Sequence, residues 1–185
     1  FANQKGYVTN SSSKSFSVIN LSSLTTETSF VFPDGFRPNN VSFSSLKNKL
    51  YFYNTTNTDL KVVNANDFND SHIVPSGSTT RPTDIEISPD GRFLYILGTN
   101  SSKMSLFDVE SETSTILDYG YQYLTDGVMG ASHYYVAYYR GTGGNNIGGV
   151  LKIDISTNTI VGHLEWEYQV DQLKLTAAEE LIYAV

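Results

Sequence analysis

Short apolar segments separated by polar residues recur along this chain with a nearly constant period. One aromatic series lies at intervals of 44, 44, 40 and 48 residues: Tyr7, Tyr51, Tyr95, Tyr135 and Tyr183. Two apolar series follow the same period, namely Ile19, Val63, Phe107 and Ile153, and Val41, Ile85, Val128 and Leu173. A period of about 40–50 residues that contains only strand-like segments is typical of a β-propeller, in which each unit is one blade.

Each repeat contains four strand-like segments. The innermost strand is a short alternating segment, at residues 40–43, 84–87, 127–130 and 172–175. The second strand carries the Tyr series, and its near-continuous apolar character suits a strand that neighbouring blades cover on both faces. Polar loops lead to a third strand and then to an outer one. The pattern predicts an all-β propeller of four-stranded blades over residues 1–185, with about four blades and repeats near 7–50, 51–94, 95–134 and 135–182.

Two segments resemble a known repeat. Residues 6–10 read Gly-Tyr-Val-Thr-Asn, and residues 81–95 contain the turn Ser-Pro-Asp-Gly before Leu-Tyr. Both resemble the YVTN-family β-propeller repeat, and the likeness extends over essentially the whole chain. It implies a surface-layer or exported propeller of about seven blades. The four repeats, which begin and end at the same phase, are therefore expected to be part of a larger propeller, with a four-bladed ring or a closed oligomer as alternatives.

Composition narrows the classes of partner. The net charge is −7 and the 12 Lys and Arg are dispersed, so no basic surface for nucleic acid is expected. The chain has no cysteine, which excludes disulfides and thiolate metal sites. The apolar segments are too short to span a membrane. Abundant Asn, Ser, Thr and Tyr favour an extracellular or cell-surface location after export.

Candidate binding residues lie in the loops that join each outer strand to the next inner strand. These loops share one propeller face with the loops between second and third strands, and ligands usually bind where such loops converge. The repeat register predicts two sets of equivalent positions: Arg37, Arg81, Tyr123 and Gln169, and then Asn39, Thr83, Asp126 and Asp171. Two of the loops are also aromatic, with Tyr119, Tyr121 and Tyr123 in one and Trp166 and Tyr168 in the other.

Aromatic rings with a polar tip suit a sugar, a planar cofactor or another protein, although packing between blades is the alternative. The predicted ligand-binding residues are Arg37, Arg81, Tyr121, Tyr123, Asp126, Trp166, Tyr168 and Asp171.

The sequence contains no recognisable catalytic set. There is no G-x-S-x-G segment, and no Ser, His and acid fall at matching phases of the repeat. Asp84, Asp126 and Asp171 offer oxygen ligands for a divalent cation, but aspartates at such positions more often cap turns. The glycine-rich residues 141–149 lack the Lys-Ser/Thr ending of a phosphate loop. No catalytic residue, metal or cofactor is predicted.

The sequence thus favours a non-enzymatic cell-surface or exported propeller. It is predicted to bind a small molecule, a glycan or a partner protein on the face that carries the loops. One alternative is a structural module of a cell-envelope layer or filament, with an envelope-protein partner or an oligomer. The other is a lactonase-like or quinoprotein-like propeller enzyme, which the resemblance of the repeat leaves open.

Overall fold

The computed structural model describes residues 4–54, 56, 58–78, 81–98, 101–121, 123–141, 147–167, 169–170, 172–176 and 182–184. Within these residues the regular elements are β-strands, and no α-helix occurs among them. The strands are β1 (Lys5–Asn10), β2 (Ser15–Asn20), β3 (Thr25–Val31), β4 (Asn40–Ser44), β5 (Lys49–Tyr53), β6 (Asp59–Asn64), β7 (Asp67–Pro75), β8 (Pro82–Ile87), β9 (Phe93–Gly98), β10 (Lys103–Asp108), β11 (Thr113–Asp118), β12 (Leu124–Met129), β13 (His133–Arg140), β14 (Ile147–Asp154), β15 (Thr159–Trp166), β16 (Leu173–Leu175) and β17 (Ile182–Ala184).

Each strand pairs in antiparallel fashion with its neighbour in the chain. The described strands form a three-stranded sheet (β1–β3), three four-stranded sheets (β4–β7, β8–β11 and β12–β15) and a two-stranded sheet (β16–β17). This meandering order within separate sheets is that of propeller blades and confirms the predicted all-β fold class. Because each four-stranded sheet begins at its inner strand, it straddles the boundary between two of the Tyr-to-Tyr repeats.

Burial is greatest in the second and third strands and falls toward the outer strand. Four consecutive residues of β5, from Leu50 to Tyr53, are buried, and β9 is buried from Leu94 to Gly98. In contrast, the outer strand β3 is exposed along almost its whole length. The apolar runs of the second strands therefore form because sheets cover both of their faces, whereas the outer strands carry Thr and Ser toward solvent.

The core lies between successive sheets. Between the first two sheets, the rings of Phe16 and Phe52 lie 4.9 Å apart between centroids. Between the next two, Tyr51 contacts Phe107 edge-on at 5.9 Å. One sheet further on, Tyr95 packs on Tyr134 at 5.0 Å. Aromatic residues thus fill the space between sheets, and Tyr51, Tyr95 and Phe107 among them belong to the repeating series.

The inner strands contact one another in chain order, β4 with β8, β8 with β12 and β12 with β16. Polar side chains on these strands bond to the main chain of the following sheet. Ser42 Oγ donates to the Ile85 carbonyl at 3.1 Å, and Ser44 Oγ donates to the Gly91 carbonyl at 2.6 Å. Both serines are buried, so these hydrogen bonds satisfy groups that water cannot reach. The alternating pattern of the inner strands therefore reflects contacts between sheets.

Gly149 on β14 lets the Tyr138 side chain and the neighbouring strand lie close to its main chain. A Cβ atom at this position would lie 2.3 Å from the Leu164 carbonyl oxygen and 2.6 Å from the Tyr138 hydroxyl. A Cβ at Gly162 on β15 would meet only the Lys152 Cβ, at 3.8 Å. The two glycines belong to the same sheet, but only Gly149 is required by its neighbours.

We expect Gly149→Ala to destabilise the protein by roughly 1–3 kcal/mol, because the added methyl group must displace a strand carbonyl. Gly162→Ala is the matched control and should change stability by less than about 1 kcal/mol, since alanine fits the space and restricts the unfolded chain. Urea unfolding of both variants measures the difference. Equal losses of stability in the two variants would show that the neighbours of Gly149 do not require a glycine there.

Candidate functional site

Three of the predicted binding residues lie at the same end of the inner strands. Arg37 lies in the loop between β3 and β4, and Arg81 and Tyr123 directly precede β8 and β12. Arg37 and Arg81 are exposed, and Tyr123 is half-buried. Tyr168 and Asp171 lie outside the described residues. Only the main chain of Trp166 is described, at the end of β15 opposite Gly148, so the roles of these last three residues stay predictions.

Arg37 lines a polar cavity of about 410 Å³ on the loop-bearing face. The cavity is formed by the loop before β4 and the loop that follows β5, and its walls are Asp34, Gly35, Phe36, Arg37, Asn54, Thr56 and Ile73. We call it the Arg37 pocket. Its volume lies within the range of small-molecule sites, about 300–1,000 Å³.

A buried cation stabilises the wall of this pocket. Lys61 Nζ contacts Asp34 Oδ2 at 2.7 Å, and this hydrogen bond is the main reason that the pKa of Asp34 is lowered. On the opposite wall, Asn54 Oδ1 accepts hydrogen bonds from the Thr56 main-chain nitrogen and hydroxyl at 2.9 and 2.8 Å. The side chains of Asp34, Asn54 and Thr56 are therefore held in place before a ligand enters.

A second group of side chains forms an aromatic patch on the same face. Tyr121 packs edge-on against Tyr138 with ring centroids 4.6 Å apart, and Tyr138 donates from its hydroxyl to Glu165 Oε1 at 2.8 Å. Arg140 forms an ion pair with the same carboxylate at 3.0 Å. Tyr121 is half-buried. Packing and binding, the two alternatives for this tyrosine, are therefore compatible.

Tyr123 stacks on Tyr139 with an angle of 21° between the ring planes and 4.6 Å between the centroids. Its main chain has φ 51°, in the left-handed region that a bulky residue seldom adopts. The Tyr139 amide donates to the Tyr123 carbonyl at 3.2 Å, which fixes this turn just before β12.

The inner strands also bring three carboxyl groups together, an arrangement that the sequence indicated only in part. Asp84 pairs with Leu97 and Asp126 pairs with Ala137, so the two aspartates occupy equivalent positions of β8 and β12. The predicted register, which made Thr83 equivalent to Asp126, is wrong. Both strands carry the same bulge just before the aspartate, so the error has another cause: the apolar series matched Ile85 with Val128, whereas the position equivalent to Ile85 is Gly127, which pairs with Val136 as Ile85 pairs with Ile96.

Glu86 lies two residues beyond Asp84 on the same side of β8, facing the following sheet. We call Asp84, Glu86 and Asp126 the carboxyl cluster. Asn40 Nδ2 donates to Asp84 Oδ1 at 3.1 Å, and the Gly127 amide lies close to the same carboxyl. Asp126 Oδ2 accepts from the Leu173 amide at 2.7 Å. These carboxylates therefore connect four successive inner strands.

Burial and mutual repulsion raise the pKa values of Asp84 and Glu86. Asp84 is only 7% exposed, and this burial, together with the nearby charge of Asp126, raises its pKa to about 6. Burial, followed by the charges of Asp84 and Asp126, raises the pKa of Glu86 to about 8, against the opposing effect of Lys174. Sequence reasoning missed Glu86, although its position two residues after Asp84 on a strand was a usable signal.

Comparison with known proteins identifies the family. The model of the sulfocyanin (SoxE) domain matches residues 3–137. The chain belongs to the sulfocyanin (SoxE) domain family. No curated protein matches this sulfocyanin-domain chain. Membership of the YVTN family therefore stays a prediction.

Solved structures with similar folds cover nearly the whole sulfocyanin-domain chain. Kuenenia stuttgartiensis hydrazine synthase matches at TM-score 0.72 and 16% identity, over 97% of this chain and 51% of its own. A chain of the mitotic checkpoint complex matches at 0.73 and 11% identity, over 98% and 53%. The β-propeller domain of Myceliophteria thermophila Cps50 (Swd1) matches at 0.68 and 12%, over 96% and 61%. The fold is that of a β-propeller, and the chain spans about half the length of the first two matched chains.

A cupredoxin-like role does not fit the residues present. A blue-copper site needs two His and one Cys thiolate, and this chain has no cysteine. Its histidines, His72, His133 and His163, lie on β7, β13 and β15. Within the described ranges, no three His, Asp or Glu side chains are arranged to hold a metal ion. In the same ranges, no helix is both long and apolar enough to cross a bilayer.

The carboxyl cluster predicts an unusual dependence of stability on pH. Because folding raises the pKa of Asp84 and Glu86, the folded state holds their protons more tightly than the unfolded state does. Stability should therefore fall as the pH rises from about 4, where both carboxyls begin to ionise in the unfolded chain, through the folded pKa of Asp84 to that of Glu86 at about 8, by roughly 1–3 kcal/mol in all. Chemical unfolding at a series of pH values measures this change.

Glu86→Gln should remove the part of this fall that Glu86 contributes, which extends from just above its unfolded pKa of about 4.5 to about pH 8, so almost no fall should remain above about pH 6. Glu110→Gln is the matched control, because Glu110 lies in an exposed turn, paired with Lys47 and remote from the carboxyl cluster. An unchanged pH profile in Glu86→Gln would show that this carboxyl does not titrate in the folded protein as described.

Proposed function

We propose that this chain is an exported, non-enzymatic β-propeller that binds a small molecule, a glycan or a partner protein on its loop-bearing face. The observation that carries the proposal is the Arg37 pocket, in which an exposed guanidinium adjoins a fixed amide, a hydroxyl and a carboxylate. Such a mixture of donors and acceptors around a concave surface is typical of sites for polar ligands. The proposal of export rests on composition alone.

Further support comes from the other predicted residues at the same end of the sheets. Tyr121 and Tyr123 present partly exposed rings beside Arg140 and Glu165, a combination found in carbohydrate and protein interfaces. One structure of similar fold belongs to a mitotic checkpoint complex, which is an assembly of proteins. Arg81, Trp166, Tyr168, Asp126 and Asp171 are assigned to the same surface from their position in the repeat.

We expect a thermal-shift screen of a glycan and metabolite library to find a ligand whose stabilisation is lost in Arg37→Ala and reduced in Arg81→Ala and Trp166→Ala. Loss of a charged hydrogen bond at a binding site typically weakens affinity by tenfold or more. Arg92→Ala is the control, because Arg92 is exposed at the start of β9 on the opposite face and pairs with Asp108. A ligand that binds all three site variants as it binds the unaltered protein would refute the assignment.

A structural role in a cell-envelope layer is the second candidate, and one surface favours it. On β15, Val161 is 54% exposed and Leu164 is 68% exposed. Leu164 borders an apolar cavity of about 430 Å³ with Tyr135, Val150 and Ile182. Exposed apolar surface of this kind is commonly covered by another protein.

If this surface mediates self-association, sedimentation of the purified chain should show oligomers at high concentration that disappear in Leu164→Glu. A buried charge in an apolar contact is sufficient to break it. Leu24→Glu, in the exposed turn between β2 and β3, is the control and should leave association unchanged. A protein that stays monomeric at millimolar concentration would exclude the structural candidate for this chain alone. The lactonase-like or quinoprotein-like alternative rests only on the resemblance of the repeat, and no arrangement of described residues favours it.

A further inference from the structure

The carboxyl cluster contains polar atoms that the described residues leave unsatisfied. Asp84 Oδ2 is buried and has no hydrogen-bond partner, although Oδ1 of the same carboxyl accepts from Asn40. The Tyr134 hydroxyl is also fully buried and unpartnered. Buried polar groups in native proteins are nearly always paired, and each exception calls for an explanation such as a missing ligand.

The unpartnered Tyr134 hydroxyl is evidence for a ligand that does not depend on the acids themselves. Its hydroxyl lies so close to Gly127 that a Cβ there would be 2.0 Å away, which places it beside the main-chain amide that lies close to the Asp84 carboxyl. The pKa of Tyr134 is raised by burial and then by the charges of Asp84, Glu86 and Asp126, as is expected of a hydroxyl near these acids. Two unpartnered oxygens from different strands thus point to one region.

The chemistry of this region favours a cation with several hydrogen-bond donors. All three acids contribute negative charge, and the whole chain carries −7. Within the described residues, no three acids are close enough together to form a metal site, so compact coordination of a divalent ion is disfavoured. A primary ammonium needs no third carboxylate, because its three N–H groups can bond to two carboxylates and one hydroxyl oxygen, each at about 2.8 Å.

We propose that the carboxyl cluster binds a primary ammonium group, either of a free amine or of a lysine side chain on a partner. Asp84, Glu86 and the Tyr134 hydroxyl accept its hydrogen bonds, and the charge of Asp126, whose Oδ2 accepts from the Leu173 amide, adds to the negative potential of the site. This proposal names the chemical class of one ligand that the loop-bearing face would bind. It therefore rests on the proposed binding function. The chain's own Lys174 does not fill the site, because among the described residues it forms no ion pair and is exposed.

Occupation of the site requires the cluster to lose protons. The groups that face the two raised carboxyls from neighbouring strands are Asp126 on β12, Lys174 on β16, Tyr53 on β5, Tyr134 on β13 and Tyr95 on β9. Since Asp84 and Glu86 hold protons up to about pH 6 and 8, an ammonium ion displaces these protons as it binds. Affinity should therefore rise with pH between 5 and 9, a range in which an alkylamine stays charged.

The test is calorimetric titration of the unaltered protein with n-butylammonium at pH 5, 7 and 9. We expect saturable binding that is at least tenfold tighter at pH 9 than at pH 5, with proton uptake by the buffer. Tetramethylammonium, which has the same charge but no N–H donor, should bind at least tenfold more weakly. A parallel titration with Nα-acetyl-lysine methylamide distinguishes the two sources, because a preference for it over butylammonium indicates a protein partner.

Variants locate the site. Glu86→Gln should weaken butylammonium binding at least tenfold at pH 9, whereas the matched control Glu110→Gln should change it less than twofold. Lys174→Ala removes a competing positive charge and should strengthen binding. Asp84→Asn is informative only if its circular dichroism matches that of the unaltered protein, and the pH series on unaltered protein does not depend on it.

Three results would overturn the inference: no saturable heat with either amine, equal binding of butylammonium and tetramethylammonium, or binding that Glu86→Gln leaves unchanged. Saturable binding of Ca²⁺ without binding of either amine would also overturn it and would assign the cluster to a metal. None of these outcomes bears on Arg37, so the loop-face ligand screen with Arg37→Ala can succeed or fail independently.

Discussion

The packing of each second strand between two neighbouring sheets is the interaction on which the rest of this structure depends. An aromatic residue such as Tyr95 is completely buried in a strand whose two faces both carry apolar side chains. No single sheet can cover both faces, so each requires the next one along the chain. The inner strands then take their positions from this packing, and their polar residues bond to the main chain of the following sheet. The loops that carry Arg37 and Tyr123 are in turn positioned by those inner strands.

Much of this could be predicted from the sequence, because burial between sheets imposes a periodic pattern that is visible without coordinates. The Tyr series and the alternating inner segments predicted the sheets and the end of the molecule at which Arg37, Arg81 and Tyr123 lie. The carboxyl cluster was predicted only in part, since Asp126 was expected and Glu86 was not. The repeat register was also one residue out between β8 and β12, because the position equivalent to Ile85 is Gly127, and a glycine leaves no mark in the hydrophobic pattern. The Arg37 pocket depends on how two loops approach each other, and a repeat period carries no information about that.

Family and fold contribute different information about this chain. The sulfocyanin (SoxE) domain model spans residues 3–137, yet the thiolate that a blue-copper centre requires is missing from all 185 residues. The similarity to propellers of 11–16% identity establishes the architecture alone. Function in such cases is determined by the sites that a scaffold carries. Here these are a polar pocket between two loops, an aromatic patch next to an ion pair, and acids held at the junction of the inner strands.

The bulge at Thr83 has a further consequence for how such a scaffold can diversify. Side chains alternate along a strand, so the insertion of one residue exchanges the set of side chains that faces each neighbour. The turn between β8 and β9 fixes how residues 84–87 pair with β9, so loss of Thr83 would exchange the sides of the residues before the bulge, Arg81 and Pro82. A deletion of a single codon could thus redirect Arg81, a candidate binding residue, while the acids of β8 kept their places. The direction of a side chain at the loop-bearing end is therefore set by one residue count, independently of the aromatic packing that maintains the fold.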